Sequence, residues 1–265
     1  MAAIEEPGVG NYAWDNGWGE ARHRLSLLEQ CWDPGTQRCL LAAGVQPGWR
    51  CLEVGGGGGS VVRWLCDQVG PTGSVVTVDL DTRFLVSIDA PNLEVIESDV
   101  VEDGLPGGPF DLIHTRAVLM HIPARDRLLG ELVDRLRPGG TIVLEEGDFC
   151  SIAAAESPIY RDFMERFAEI ILREAGMNTT WARGVAARLA ALGLTDITGR
   201  ADISNYQGGS LEAEFWRVSF TQTRDLVLAN GISKEDCDDF LAALEDPTQF
   251  FPAPAFFQII GRRPG

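Results

Sequence analysis

The chain has 265 residues, 45% of them hydrophobic and 23% charged, long enough to bury a core without a disulfide or metal staple. Its 22 basic against 39 acidic residues leave a net charge of −17, a surface that repels nucleic-acid phosphates and anionic lipid. No run reaches the roughly 18 apolar residues of a membrane span. The opening MAAIEEPGVG has neither the basic nor the apolar region of a signal peptide. Six cysteines without a C-x-x-C pair and only three histidines exclude zinc-ribbon, iron–sulfur and thioredoxin-type sites. The expectation is a cytoplasmic protein without metal.

In chain order, Ala21, Leu25, Leu28 and Trp32 recur at helical spacing, and Asp33-Pro34 reads as the cap of a second helix ending near Gly44. Residues 50–54 read as a buried strand, 60–69 as a helix and 74–79 as a β-branched strand. A helix after Asp81 and strands at 93–97 and 110–114 follow. Helix 124–137 is stopped by RPGG, and strand 141–145 completes the alternation. Beyond it come helices at 157–175, 181–192, about 211–229 and 233–245, a strand at 195–206, and a last strand in PAFFQIIGRR. Short apolar strands alternating with helices predict an α/β fold with a parallel sheet covered on both faces. No linker interrupts the chain, so one domain is expected: a helical cap (1–47), a core (48–150), lid helices (151–194) and carboxyl-terminal strands and helices (195–265).

Five consecutive glycines, 55–59, sit between a strand and a helix, where backbone can approach a ligand closely. The dinucleotide spacing G-x-G-x-x-G fails, because Ser60 or Val61 falls where the last glycine belongs. G-x-G-x-G fits, at Gly55, Gly57 and Gly59. Glu53, just before the glycines, would repel a pyrophosphate but suits an ammonium group. Asp79 lies 20 residues past the last glycine, where a carboxylate accepts ribose hydroxyls. Asp99 and Val100 follow the third strand and suit an adenine edge. Together these acids describe a site for adenosine joined to an amino acid.

LEVGGGGG, TVDLD, ESDV, FDLIHTRAVLMHI and RPGG, in this order over roughly residues 48–148, resemble the ordered motifs of class I S-adenosylmethionine-dependent methyltransferases, in the small-molecule branch that includes the ubiquinone/menaquinone-biosynthesis type. The resemblance implies a Rossmann-like seven-stranded, mostly parallel sheet with an antiparallel last strand and with amino-terminal and lid helices over the site. It implies S-adenosyl-L-methionine as cofactor and S-adenosyl-L-homocysteine as product. It places Glu53, Gly55, Gly57, Gly59, Asp79, Leu80, Asp99, Val100 and Thr115 around the cofactor, with Tyr12 and Arg24 from the amino-terminal segment closing over it. Candidate catalytic groups are His114, His121 and Glu146. The implied partner is a small, natural-product or lipid-like acceptor; nucleic acid and membrane are not expected, and a homodimer is left open. Two rival readings keep their place: the same fold binding S-adenosylmethionine without methyl transfer, for cyclisation, decarboxylation or a binding role, and a nicotinamide-dependent oxidoreductase, which the failed glycine spacing disfavours. Gly56, often another residue in the family, is expected to loosen the loop.

Overall fold

The fold is seen in a computed structural model that describes residues 13–265, so Tyr12 lies outside the described residues. Nine strands and eight helices are described: α1 (Ala21–Ala42), β1 (Arg50–Val54), α2 (Ser60–Val69), β2 (Ser74–Asp79), β3 (Leu93–Glu97), β4 (Phe110–Arg116), α3 (Arg125–Asp134), β5 (Leu136–Asp148), α4 (Pro158–Ala175), α5 (Val185–Ala191), β6 (Thr195–Asp202), β7 (Asn205–Gln207), α6 (Leu211–Gln222), α7 (Arg224–Ala229), α8 (Lys234–Glu245), β8 (Phe250–Pro252) and β9 (Ala255–Arg262). Seven strands form one sheet in the order β3-β2-β1-β4-β5-β9-β6. Only β9 runs antiparallel to its neighbours β5 and β6. No described helix is long and apolar enough to cross a membrane.

Each face of the sheet owns one parity of the strand residues. Cys51, Val75, Leu112 and Val143 face α1 and α2, packing with Leu40, Val62 and Leu65. Leu52, Val76, Ile113, Ile142 and Leu144 face the opposite layer, with Leu128, Leu132, Val185 and Leu189 of α3 and α5. A second core lies among α4, α6, α7, α8 and the two-stranded β7–β8 sheet, where Phe163 stacks on Phe240 at 3.8 Å and Tyr160 lies buried beside Tyr206.

Several elements differ from the expectations. Asp33-Pro34 does not open a new helix: α1 runs through Pro34, because Leu25, Leu28 and Trp32 before it and Thr36, Cys39 and Leu40 after it lie on one stripe that packing holds together. Asp33 accepts instead from Ser60 Oγ at 3.0 Å and pairs with Arg116 at 2.8 Å. The segment after Asp81 is a short turn rather than a helix. RPGG is not a stop but part of β5, which starts at Leu136. The 195–206 strand breaks into β6 and the start of β7, which pairs with β8 in a separate two-stranded sheet, and the 211–229 helix breaks at Thr223 into α6 and α7.

Candidate active site

A cavity of about 1700 Å³ opens beside the carboxyl ends of β1, β2 and β4. It exceeds the roughly 300–1,000 Å³ of a pocket for one small ligand. Open α/β sheets place ligands at this edge.

The glycine loop forms one wall. Gly55 has φ +76°, and a Cβ there would lie 2.3 Å from Val118 Cγ2. Gly55→Ala is therefore expected to cost about 1–2 kcal/mol from backbone strain alone, with Val118 displaced as well; urea unfolding measures it, and an unchanged midpoint would refute it. Gly56 is not spare, as the loosening argument supposed. Its Cβ would lie 2.5 Å from Thr77 Oγ1 and 3.1 Å from both Leu85 methyl groups, so close packing beneath the loop demands the glycine. Gly55, Gly57 and Gly58 line the cavity. Gly59 is not among the lining residues; it precedes α2, and its N–H donates to Gly56 O at 2.9 Å.

Asp79 fastens the loop to the end of β2. Its Oδ2 accepts from Gly57 N–H at 2.8 Å and its Oδ1 from Asp81 N–H at 3.1 Å. Burial pushes its pKa up against these hydrogen bonds. Each carboxylate oxygen keeps a lone pair for a ligand hydroxyl. Leu80 sits on the rim, Asp99 Oδ1 caps Val101 N–H at 2.8 Å, and Val100 is buried in the wall.

Two groups of opposite charge meet the cavity. Arg24 of α1 is 5% exposed, its Nε has no partner, and it forms no ion pair among the described residues. Glu53, 2% exposed, gives Oε2 to His114 Nδ1 at 2.6 Å and keeps Oε1 free of hydrogen bonds. Arg22 points elsewhere, donating to Gly58 O at 3.4 Å and to Glu29 at 3.3 Å.

His114 does not reach the cavity. It is fully buried, and its Nε2 meets Glu145 Oε2 at 3.0 Å while Gln258 Nε2 donates to Glu145 Oε1. Burial alone would lower its pKa, but the two carboxylates outweigh it and raise it to about 9. Burial pushes Glu53 up and the imidazolium pulls it back, whereas Glu145, also buried, is held below the ordinary range by its bond to His114.

Glu146 lies on the other face of β5, fully buried. Its carboxylate accepts from Val118, Leu119 and Met120 N–H at 3.4, 2.9 and 3.1 Å, shaping the turn after β4. Burial nevertheless pushes its pKa to about 7. Its geometry is that of a loop anchor, not of a group facing substrate. Thr115 is likewise buried in β4 away from the cavity; Arg116, Ala117 and Val118, one to three residues on, line it instead. His121 does line the cavity, its ring edge-on to Trp14 with centroids 5.4 Å apart. Burial and the charges of Arg24 and Arg125 lower its pKa to about 3, so it is a neutral, weakly basic imidazole.

A further wall, drawn from both ends of the chain, is aromatic: Trp14, Trp32, Phe149, Phe215, Trp216 and Phe256. The α6 and β9 contributions went unnoticed in the sequence, where only the clustering of aromatics hinted at them. Phe163, Met164 and Phe167 of α4 belong to the helical core and not to this wall.

Residues 52–144 match the family described as a methyltransferase domain. That segment is similar to a methyltransferase domain. The domain is 30% identical over 112 residues to the ubiquinone/menaquinone biosynthesis C-methyltransferase of Ectopseudomonas mendocina (strain ymp), a match covering 39% of this chain and 44% of that protein. The chain thus matches about half the length of its curated relatives, as with the same enzyme of Laribacter hongkongensis (strain HLHK9), 51% covered. The cyclopropane synthase MmaA2 of Mycobacterium tuberculosis superposes with a TM-score of 0.54 at 18% identity, over 86% of this chain and 84% of that one. A phosphoethanolamine N-methyltransferase 2 of Haemonchus contortus, in complex with S-adenosyl-L-methionine, superposes with a TM-score of 0.52 at 17% identity, over 96% of this chain and 56% of that one. The structural likenesses establish that the methyltransferase-domain fold extends well beyond residues 52–144.

Proposed function

We propose that the protein transfers a methyl group from S-adenosyl-L-methionine to a small-molecule acceptor. The observation that carries this is one cavity presenting a carboxylate at the end of β2, a glycine cradle, and the oppositely charged Glu53 and Arg24. That combination fits a nucleoside with a zwitterionic tail. Gly55 and Gly56 leave no room for an added Cβ, and Asp79 has lone pairs left for ribose. Asp99 and Val100 stand where an adenine edge would be met. When bound, the cofactor supplies a methyl group already activated by the sulfonium charge.

The chain's own residues then align and exclude water. Asp79 holds the ribose, Glu53 the ammonium and Arg24 the carboxylate, which fixes the direction in which the methyl group points. Trp14 and the other aromatics supply a dry, flat-walled chamber suited to an apolar, natural-product or lipid-like acceptor. His121 borders the chamber but is too weak a base to deprotonate an alcohol or ammonium group. An acceptor that is already nucleophilic, such as an electron-rich ring carbon, suits this environment. The curated relatives named C-methyltransferases point the same way.

Isothermal titration with S-adenosylmethionine and S-adenosylhomocysteine tests the reading. Binding of both is expected, and no binding of either sinks it. Mass spectrometry of an acceptor panel, searched for a gain of one methyl group, tests the transfer.

A further inference from the structure

We propose that His114 is a positioning residue: clamped as an imidazolium between Glu53 and Glu145, it keeps the Glu53 carboxylate ionised and turned so that Oε1 meets the ligand's ammonium group. The inference rests on the cofactor reading above. It starts from an oddity of the sheet. Lower on the same face the strands carry Cys51, Leu112 and Val143, an apolar layer against α1. Toward the carboxyl ends the same parity carries Glu53, His114 and Glu145. Glu53 lies directly opposite His114 in register, and Glu145 opposite Gln258. All four residues are at most 5% exposed.

Burying such ions is costly, and apolar residues of similar volume commonly serve stability as well or better. The cluster therefore calls for a role other than holding the sheet together. Its charges supply one. With both carboxylates ionised the cluster holds two negative charges against the one positive charge of a protonated His114, while Arg116 of β4 is matched by Asp33 of α1 at 2.8 Å. Gln258 of β9 is neutral, and burial pushes the Cys39 thiol of α1 up to about 12, so it too is neutral. The cluster is one positive charge short, and its free carboxylate oxygen belongs to the residue that borders the cavity. A ligand ammonium group completes it.

Without the imidazolium, burial would push Glu53 toward its protonated form, and its attraction for the ammonium group would vanish. His114 thus acts on the ligand through Glu53, without touching it.

The test compares S-adenosylhomocysteine with 5′-methylthioadenosine, which lacks the amino-acid part, by isothermal titration. His114→Gln is expected to weaken S-adenosylhomocysteine about tenfold or more, the equivalent of one pKa unit or above, and to leave methylthioadenosine within about twofold. Equal loss on both ligands, or loss on neither, overturns the proposal. If the wild type binds neither, the cofactor reading itself fails, a result distinguishable from the first two. Side-chain NMR of the three histidines gives an independent readout on the intact protein. The His114 ring is expected to stay protonated up to about pH 9 in the wild type and to titrate lower in Glu145→Gln, with S-adenosylhomocysteine affinity falling over the same range. A His114 ring titrating near 6.5 overturns the proposal.

Discussion

Asp79→Ala is expected to lower the affinity for S-adenosylhomocysteine at least about 100-fold, since each charge-assisted hydrogen bond to a ribose hydroxyl is worth about 1.5–3 kcal/mol. The carboxylate would bond two hydroxyls while holding the Gly57 and Asp81 N–H groups. Removing it also frees the glycine loop from the end of β2, which adds an ordering cost on binding. Asp79→Asn separates the two contributions. The amide oxygen can still cap one N–H, but the negative charge is gone, so its affinity should fall between wild type and Asp79→Ala. Titration calorimetry measures all three, with near-ultraviolet circular dichroism confirming an intact fold. A change of less than about threefold in Asp79→Ala would mean that the carboxylate does not hold the ligand, because even one such bond is worth more.

The second large effect is a loss of stability as pH climbs above about 6.5. His114 is raised from 6.5 to about 9 in the fold. A raised histidine stabilises fully below its unfolded value, and this stabilisation is lost as pH climbs from 6.5 through about 9. The gap corresponds to about 3 kcal/mol. His121 works in the opposite direction, its folded value being lowered from 6.5 to about 3. The unfolded chain takes up that proton first, which lowers stability toward acid, but Glu146, raised from 4.5 to about 7, opposes this above its unfolded value. Urea unfolding across pH should show the alkaline limb. His114→Gln should flatten the alkaline limb and lower stability near neutrality by about 3–5 kcal/mol, the usual consequence of leaving buried charges unpaired. The buried thiols add to the loss only near the top of this window, where unfolded cysteines ionise at about 8.5 while Cys39 and Cys66, raised to about 12 and about 11, stay protonated in the fold. An alkaline limb that survives in His114→Gln would assign the titration to another group.

Much of the site was legible because strand ends and turns announce themselves locally. A β-branched run ending in Asp79, and glycines between a strand and a helix, need no long-range information to be placed at the ligand edge. The same logic failed by small offsets. The resemblance puts Thr115 beside the cofactor, yet β4 continues to Arg116, and it is the turn at Ala117 and Val118 that reaches the cavity. Glu146 sat correctly at the end of β5, but strand parity sends it to the far face, where three N–H groups claim it. His114 stands among the candidate catalytic groups because it ends a strand. Its neighbours in space, Glu53 and Glu145, are 61 and 31 residues away in sequence, and only their approach turns it into a bridging cation.

The sequence by itself determined the alternation of strands and helices, the glycine loop, and the acids near the carboxyl ends of β1, β2 and β3. Each rests on a local regularity: side-chain period, turn chemistry, or a fixed distance from a strand end. Tertiary structure decided the rest. It carried α1 through Pro34, drew Trp32, Phe215 and Phe256 from three separate elements into one wall, left Arg24 without an ion-pair partner among the described residues, and joined Glu53, His114 and Glu145 into one charged cluster. Those outcomes depend on which strands become neighbours and which face each residue takes, and residues far apart in the chain carry no local sign of that.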